Sequence, residues 1–298
     1  MLTSTGLIVN SNLGVSAVAR TFISYPDPMH ILLTNDDGHQ APGILALQRA
    51  LKNEGHRVTM VAPSNEQSAT SMSTTPHRSI ALQQLEKDCW HLDARPADTV
   101  LVALRHLLEG DLPDLVLSGV NFGPNLGQGL HASGTVGAAV MALLNDVPAI
   151  AISAGMFFHE YNYSPRRFPS THEVLDPAAE FTCTIIESLQ SSAIQGQGLL
   201  PQGVLLNINY PPLPKNEIKG VFYPEVSNGH MIKLGYSRCK ETGHVVPRYH
   251  PGVDPENPQQ ESGDIRAHME GYITISAVKP HWDAPVEVKE EIQARLAL

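Results

Sequence analysis

The sequence predicts an α/β fold: a Rossmann-like, doubly wound and mostly parallel sheet, followed by a β-rich C-terminal region and a closing helix. Short apolar runs alternate with stretches of helical length over residues 29–210, a pattern typical of parallel strands covered by helices on both faces. Pro211-Pro212-Leu213-Pro214 then interrupts the alternation, because proline cannot donate to a strand ladder. We therefore expect a Rossmann-like domain over 29–213, a second region over 214–298, and a disordered N-terminal extension over 1–28.

The first half of the predicted domain begins with Ile31-Leu32-Leu33, a continuous apolar run that suits a strand buried on both faces. A helix follows, because Pro42 lies in a first turn and Gly55 just past the end of an apolar pattern with helical spacing. The remaining elements are a strand over 58–62, a polar loop over 64–75, an irregular stretch, a helix over 97–108 and a strand over 115–117.

The second half of the domain begins with a glycine-rich segment over 119–134, which leads into a helix of small residues. The predicted elements are a helix over 136–144, a strand over 149–152, a helix over 177–189 and a strand over 204–208. Beyond the proline-rich break the sequence predicts strands over 218–226, 232–236 and 272–278, a polar proline-rich segment over 243–263 and a closing helix over 286–296.

The composition excludes several classes of protein. The formal charge of −10, from 20 basic and 30 acidic residues, disfavours a nucleic-acid binder, which needs a basic stripe to displace counterions. No apolar run approaches the roughly 20 residues that cross a bilayer, so we expect no membrane partner. Three scattered cysteines, Cys89, Cys183 and Cys239, argue against a disulfide framework and a thiolate zinc site. A reducing compartment follows most simply, and we expect a cytoplasmic protein.

Three polar loops follow the carboxyl ends of predicted strands, where ligands bind in open α/β sheets. They are Asn35-Asp36-Asp37-Gly38, the Ser/Thr-rich loop that contains Ser68, and the segment over 118–125. Adjacent carboxylates raise each other's pKa unless a cation compensates, and oxygen ligands favour Mg²⁺ or Mn²⁺ over zinc. These loops predict a metal-dependent phosphatase, although Asp36-Asp37-Gly38 taken alone is more typical of an ordinary turn.

The segment Ser133-Gly134-Thr135 opens the helix that follows the glycine-rich stretch. Backbone N–H groups at a helix start, with two hydroxyls beside them, make an anion site, and the alternative is an ordinary helix cap. The sequence contains no P-loop, HExxH or GxSxG motif. Among 14 histidines, His39 and His131 are the two near the predicted site.

Several motifs, taken together and in order, resemble the survival protein SurE family, whose members are metal-dependent nucleotidases. The resemblance spans nearly everything after Met29. The motifs that carry it are Ile31-Leu32-Leu33-Thr34-Asn35-Asp36-Asp37-Gly38 with Ala41-Pro42-Gly43, Val61-Ala62-Pro63 with Ser68, Pro96-Ala97-Asp98, Ser118-Gly119-Val120-Asn121-Phe122-Gly123-Pro124-Asn125-Leu126-Gly127, Ser133-Gly134-Thr135-Val136, Leu206-Asn207-Ile208-Asn209-Tyr210-Pro211 and Glu270-Gly271-Tyr272-Ile273-Thr274-Ile275.

The resemblance implies roles for the matching positions, with Asp36 and Asp37 as the catalytic pair. It implies that one divalent metal ion per subunit, Mg²⁺ or Mn²⁺, is held by four ligands, namely Asp36, Asp37, Ser68 and Asn121. It also implies that the substrate phosphate is bound by Asn125, Ser133, Gly134 and Thr135. No histidine or lysine stands out as a general acid, so the proton donor to the leaving group is unassigned.

The resemblance further implies the substrate and the assembly. Family members hydrolyse nucleoside 5′- and 3′-monophosphates, and some cleave short polyphosphate. Their C-terminal hairpins and a swapped helix build dimers and tetramers, so we expect a homodimer or homotetramer whose oligomerisation region lies over 214–298. The sequence departs from the family pattern at Gln40, over 235–263 and over 277–280, which bears on substrate preference and on the oligomeric interface.

Two other functions remain open at this point. A phospho-receiver module also carries an acidic pair after its first strand, but it needs an acceptor aspartate where Ser118 follows the 115–117 strand. A non-catalytic nucleotide-binding scaffold would bind nucleotide without releasing phosphate, and a phosphate-release assay distinguishes it.

Overall fold

The computed structural model describes residues 27–162, 169–193 and 198–296, and the N-terminal extension expected over 1–28 lies almost wholly outside them. The predicted α/β fold is confirmed. Its strands are β1 (His30–Thr34), β2 (Arg57–Pro63), β3 (Leu82–Glu86), β4 (Cys89–Leu92), β5 (Leu115–Phe122), β6 (Ala149–Ala154), β7 (Leu205–Tyr210), β8 (Val221–Phe222), β9 (Ile232–Arg238), β10 (Val245–Pro251) and β11 (Ile273–Val278). Its helices are α1 (Pro42–Asn53), α2 (Pro96–Val102, continued by a π-helical turn over Ala103–Leu107), α3 (Gly134–Leu143), α4 (Pro169–Ser191), α5 (Gly263–Met269) and α6 (Val286–Leu296).

Nine strands form one mixed sheet in the order β3-β4-β2-β1-β5-β6-β7-β11-β8. The run from β4 to β7 is parallel throughout. Strand β3 pairs antiparallel with β4, and β11 pairs antiparallel with β7 and parallel with β8. The strand order reverses direction around β1 and β5, so the carboxyl ends of these two strands lie at the topological switch point where ligands bind in such sheets.

Helices cover both faces of the sheet, which explains why its central strands are apolar on both sides. On one face α1 and α4 pack against the sheet through residues such as Leu47 and Ala178. On the other face α2 and α3 pack through residues such as Val100 and Ala139. Burial of these two continuous cores is the main favourable contribution to folding.

Two helix starts are shaped to approach the sheet closely. A Cβ at Gly43, in the first turn of α1, would lie 1.9 Å from the carbonyl oxygen of Val120, so only glycine allows α1 to contact β5 there. At α3 the Ser133 hydroxyl accepts a hydrogen bond of 3.0 Å from the N–H of Val136 and caps the helix. The start of α1 therefore lies beside β5, and the start of α3 lies at the carboxyl end of β1, where Thr135 donates to Asp36.

Several element bounds differ from those the sequence predicts. The irregular stretch before α2 contains β3 and β4, and the first of these is wholly exposed, so it has no buried face to produce an alternating pattern. Strand β5 continues past Ser118 to Phe122, with a register shift against β6. Helix α4 begins at Pro169, eight residues before Pro177, and carries that proline inside it.

The C-terminal region also differs in detail from its prediction. Only β8 forms within 218–226, whereas β10 and α5 form within the polar 243–263 segment and at its end. Strand β10 pairs antiparallel with β9 in a separate two-stranded hairpin, and β8 and β11 extend the main sheet. The boundary between two regions at residue 213 stays a prediction, because β8 and β11, which lie beyond that residue, complete the main sheet. Within the described ranges, no helix combines the length and apolarity that crossing a membrane requires.

Candidate functional site

Asp36 lies immediately after β1, and its carboxylate is buried against the start of α3. The Thr135 hydroxyl donates to Asp36 Oδ1 at 2.5 Å, and the backbone N–H of Gln67 donates to the Asp36 carbonyl oxygen at 2.7 Å. Asp36 is 3% exposed. The structure therefore brings the acidic loop, the Ser/Thr-rich loop and the hydroxyl-bearing helix start together, as the parallel-sheet prediction requires.

Asp37 is joined to the end of β5. The N–H of Phe122 donates to Asp37 Oδ2 at 3.0 Å, which places Asn121 next to the acidic pair. Asn121 lies in β5 rather than in a loop, and its Nδ2 donates to the Gly123 carbonyl at 2.6 Å. Because the amide nitrogen is engaged in this bond, Oδ1 is the Asn121 atom available to a cation.

Ser68 follows Gln67 in the Ser/Thr-rich loop and is exposed. The bond from Gln67 to Asp36 brings this loop to the acidic pair. The far end of the loop is fixed by the buried carboxylate of Asp98, which accepts from the N–H of Thr75 at 3.0 Å and from its hydroxyl at 2.7 Å. The Pro96-Ala97-Asp98 motif therefore holds the loop that carries Ser68.

Gly134 is where α3 comes closest to the acidic pair. A Cβ at this position would lie 2.9 Å from Cβ and Oδ2 of Asp36 and 3.1 Å from Oγ1 of Thr70. Only a residue without a side chain lets the first backbone N–H groups of α3 approach the Asp36 carboxylate this closely. The helix start and the carboxylate are thus two walls of one small site.

The electrostatics of Asp36 fit a cation. Burial raises the pKa of Asp36 to about 6, against the hydrogen bond from Thr135, which lowers it. Because burial disfavours the ionised form of this carboxyl, a positive charge close to its oxygens would stabilise that form. In the described part of the chain, no group of three or more His, Cys, Asp and Glu side chains is placed to hold a metal ion. A cation at Asp36 would therefore need hydroxyl and amide oxygens as its other ligands, a set that suits a hard cation.

Asn125 is held by a cluster of buried polar side chains. Its backbone N–H donates to Asn209 Oδ1 at 2.7 Å, and its carbonyl accepts from Asn207 Nδ2 at 2.9 Å and from Asn209 Nδ2 at 3.0 Å. Its own Nδ2 donates to Ser153 Oγ at 2.9 Å. The sequence analysis assigned no role to Asn207 and Asn209. The feature that could have indicated one is the presence of two amides at alternate positions of an otherwise apolar strand.

The two histidines near the predicted site lie at its margins. His39 stacks on His91 with ring centroids 4.4 Å apart, and His131 faces Trp282 at 6.0 Å. Neither arrangement assigns a proton donor. At the position where a receiver module needs its acceptor aspartate, Ser118 is fully buried in β5, which disfavours that alternative.

Comparison with known proteins gives consistent matches over most of the chain. The model of the family described as "Survival protein SurE" matches residues 31–233. The 5′-nucleotidase SurE of Microcystis aeruginosa is 33% identical over 268 residues, which cover 85% of this chain and 91% of that protein. The protein of the same name from Synechococcus elongatus is 38% identical over 262 residues, with coverage of 84% and 93%.

A third relative and a solved structure agree with these matches. The 5′-nucleotidase SurE of Carboxydothermus hydrogenoformans is 42% identical over 199 residues, which cover 65% of this chain and 69% of that protein. The crystal structure of the Sure protein from Aquifex aeolicus superimposes with a TM-score of 0.70 at 27% identity, covering 90% of this chain and 99% of that one. The architecture described above is therefore that of a solved relative.

Proposed function

The chain belongs to the survival protein SurE family, and we propose that it is a 5′-nucleotidase, a phosphomonoesterase that releases phosphate from nucleoside 5′-monophosphates. Relatives that cover most of the chain carry the name 5′-nucleotidase SurE. The observation that carries the proposal is the meeting, at the switch point of the sheet, of Asp36 with the capped start of α3 and of Asp37 with the end of β5.

We further propose that Asp36, Asp37, Ser68 and Asn121 hold one divalent ion, Mg²⁺ or Mn²⁺. The raised pKa of the buried Asp36 carboxyl supports this assignment, as does the engagement of the Asn121 amide nitrogen, which leaves an oxygen for the ion. When bound, such an ion supplies a Lewis acid for the phosphoryl oxygens and lowers the pKa of water.

The remaining residues of the proposed site act on the phosphate itself. Ser133, Gly134 and Thr135 form the start of α3, where the helix dipole favours an anion. The Ser133 hydroxyl caps the helix as an acceptor and keeps its proton for the phosphate, whereas the Thr135 hydroxyl donates to Asp36. The Asn125 amide adds a donor from the opposite loop. Donors fixed in place before the reaction stabilise the charge that develops in the transition state.

The proposal also covers further substrates and the oligomeric state. Hydrolysis of nucleoside 3′-monophosphates and of short polyphosphate would use the same phosphate contacts. A homodimer or homotetramer would use the exposed β9–β10 hairpin and α6, which carry exposed apolar side chains such as Leu234, Tyr236 and Ile292.

A phosphate-release assay tests the proposed activity. The purified protein is treated with EDTA, and nucleoside 5′- and 3′-monophosphates are then assayed without metal, with Mg²⁺ and with Mn²⁺. We expect turnover only with metal, and we expect Asp37→Asn to lower kcat/KM by about 10²-fold or more, the scale of losing one transition-state contact.

The matched control is Asp146→Asn, which removes an exposed carboxylate at the other end of α3. Asparagine tolerates the left-handed backbone of residue 146, where φ is 61°, so this variant should keep wild-type activity. Equal turnover in EDTA, or full activity in Asp37→Asn, would contradict the metal-dependent reaction.

A further inference from the structure

Two buried amides on β7 have no place in the proposed metal or phosphate contacts. Asn207 and Asn209 are both 0% exposed and occupy alternate positions of the strand, so they point to the same face of the sheet. An amide in such surroundings is costly unless it is hydrogen-bonded. The destination of their hydrogen bonds therefore indicates what they do.

Their hydrogen bonds leave the strand and reach one residue of the neighbouring loop. Asn209 Oδ1 accepts from the N–H of Asn125, and Asn209 Nδ2 donates to the Asn125 carbonyl, at 2.7 and 3.0 Å. Asn207 Nδ2 donates to the same carbonyl at 2.9 Å. The orientation of the Asn209 amide is fixed by its partners, because an N–H must face an oxygen and a carbonyl must face a donor.

These contacts determine where the side chain of Asn125 points. Both backbone polar groups of residue 125 are held, and Ser153 on β6 accepts one hydrogen bond from its Nδ2. Ser153 and Asn209 are directly paired across β6 and β7, so all the anchors share one rigid part of the sheet. A primary amide carries two N–H donors, so the second N–H of Asn125 is left for a ligand in a fixed direction.

We propose that Asn209, assisted by Asn207, is a positioning residue for the substrate phosphate and acts through Asn125 without touching the phosphate itself. The inference rests on the proposed function, because it takes Asn125 as a phosphate contact. Donors held in advance bind and stabilise a phosphoryl group at no reorganisation cost. Loss of these hydrogen bonds to Asn125 therefore weakens phosphate binding and leaves in place the proposed metal ligands, which lie in the loops after β1 and β2 and on β5.

The neighbouring strand provides matched controls. Thr274 and Ser276 on β11 pair directly with Asn209 and Asn207 and are equally buried, but their hydroxyls have no partner among the described residues. Thr274→Val thus removes a polar group at the same depth without touching Asn125. A purely structural effect of altering this polar cluster would appear in Thr274→Val as well as in Asn209→Leu.

The experiment measures binding of inorganic phosphate and of Mn²⁺ separately, by calorimetry, together with kcat and KM for a nucleoside 5′-monophosphate. We expect Asn209→Leu to weaken phosphate binding and raise KM by about tenfold to a hundredfold, the range for removing two buried hydrogen bonds. The affinity of the variant for Mn²⁺ should stay within twofold of the wild-type affinity. A general loss of structure would weaken Mn²⁺ binding as well. Thr274→Val should match wild type in all four quantities.

A second variant protects the test against misfolding. Asn209→Asp keeps the size of the side chain and the acceptor for the Asn125 N–H, but it places an oxygen against the Asn125 carbonyl. We expect the same selective loss of phosphate binding. Asn207→Leu, which removes only one of the two donors to that carbonyl, should give a smaller loss in the same direction.

A double-mutant cycle separates this inference from the proposed function. If Asn209 acts through Asn125, then adding Asn209→Leu to Asn125→Ala should weaken phosphate binding by less than about twofold further, since coupled residues are not additive. Wild-type protein that hydrolyses no nucleotide contradicts the proposed function. Wild-type phosphate affinity in Asn209→Leu and Asn209→Asp, or fully additive losses with Asn125→Ala, contradicts the positioning role.

Discussion

The candidate site has two halves that differ in how complete they are. The carboxylate half contains Asp36, whose pKa burial raises to about 6, so its charge lacks full compensation from the protein. In the amide half both backbone groups of Asn125 are satisfied by Asn207 and Asn209. Under the proposed function a cation completes the first half, whereas the second is already assembled by the fold.

This difference separates two kinds of catalytic contribution. A carboxylate held in an unfavourable environment gains most from a cation, since the charge is destabilised until the cation arrives. A neutral amide held by other amides gains nothing from a cation, but it keeps a donor oriented before the substrate binds. Substitutions in the two halves should therefore affect different measurements, metal binding in one and phosphate binding in the other.

The largest expected effect concerns the support beneath the amide half. His268 on α5 is 3% exposed, and a Cβ on Gly155, just after β6, would lie 2.7 Å from its Nε2. Burial lowers the pKa of His268 to about 4. In the unfolded state His268 therefore binds a proton near pH 6.5, whereas in the folded state it stays neutral until about pH 4. The free energy of unfolding consequently falls as the pH is lowered from about 6.5 towards 4.

Urea unfolding at pH 7 and at pH 4.5 measures this loss. We expect the free energy of unfolding to fall by about 3 kcal/mol more in the wild type than in His268→Leu, the scale of a shift of two to three pKa units. The exposed His77 provides the control, because His77→Gln should leave the pH dependence as in the wild type. Equal pH dependence in wild type and His268→Leu would show that His268 is not held neutral.

The second effect arises where the start of α3 contacts the carboxylate half. Gly134→Ala places a Cβ 2.9 Å from Oδ2 of Asp36, so either the helix start or the carboxylate must shift. A displacement of this kind can lower the rate about 10²-fold, and we expect such a loss in kcat/KM together with weaker Mn²⁺ binding. Gly129→Ala is the matched control, since a Cβ there meets nothing within 4 Å. If both alanine variants are fully active, the close approach is not required for function.

The sequence predicted the carboxylate half better than the amide half, and the reason is physical. Asp36 and Asp37 follow a short apolar run, and the carboxyl ends of parallel strands meet at one edge, so the pattern indicated which loops lie beside them. The family resemblance supplied the individual residues Ser68 and Asn121. Asn207 and Asn209 lie within a strand, where a polar residue gives no indication of its partner. Their hydrogen bonds to Asn125 depend on the register of β6 and β7, which no local pattern contains.

The C-terminal region was the least predictable part of the fold for the same kind of reason. Strand β10 carries Pro247 and Pro251, and proline argues against a strand unless one edge is free, as it is in this two-stranded hairpin. Helix α5 has only seven residues, too few for a periodic pattern. Helix α5 is specified by contacts distant in sequence, such as the bond from Gly127 to Asp264, and β10 depends on its pairing with the preceding strand β9.

The smallest expected effect tests whether α5 contributes to the amide half from the other side. Asp264 is fully buried, and its two oxygens accept from the N–H of Gly127 at 3.0 Å and from the N–H of Ser227 at 2.9 Å. It therefore joins the glycine-rich loop, two residues after Asn125, to the C-terminal region. Asp264→Asn keeps the shape but offers one acceptor where two N–H groups need one each.

We expect Asp264→Asn to raise KM by about tenfold or less, the cost of one buried hydrogen bond left unmade, with kcat and Mn²⁺ affinity nearly unchanged. Asp254→Asn, in an exposed turn of the same region, is the control and should match wild type. If Asp264→Asn instead weakens Mn²⁺ binding as strongly as it raises KM, the two halves of the site are mechanically coupled. The distinction between a half completed by a ligand and a half assembled by the fold then does not hold.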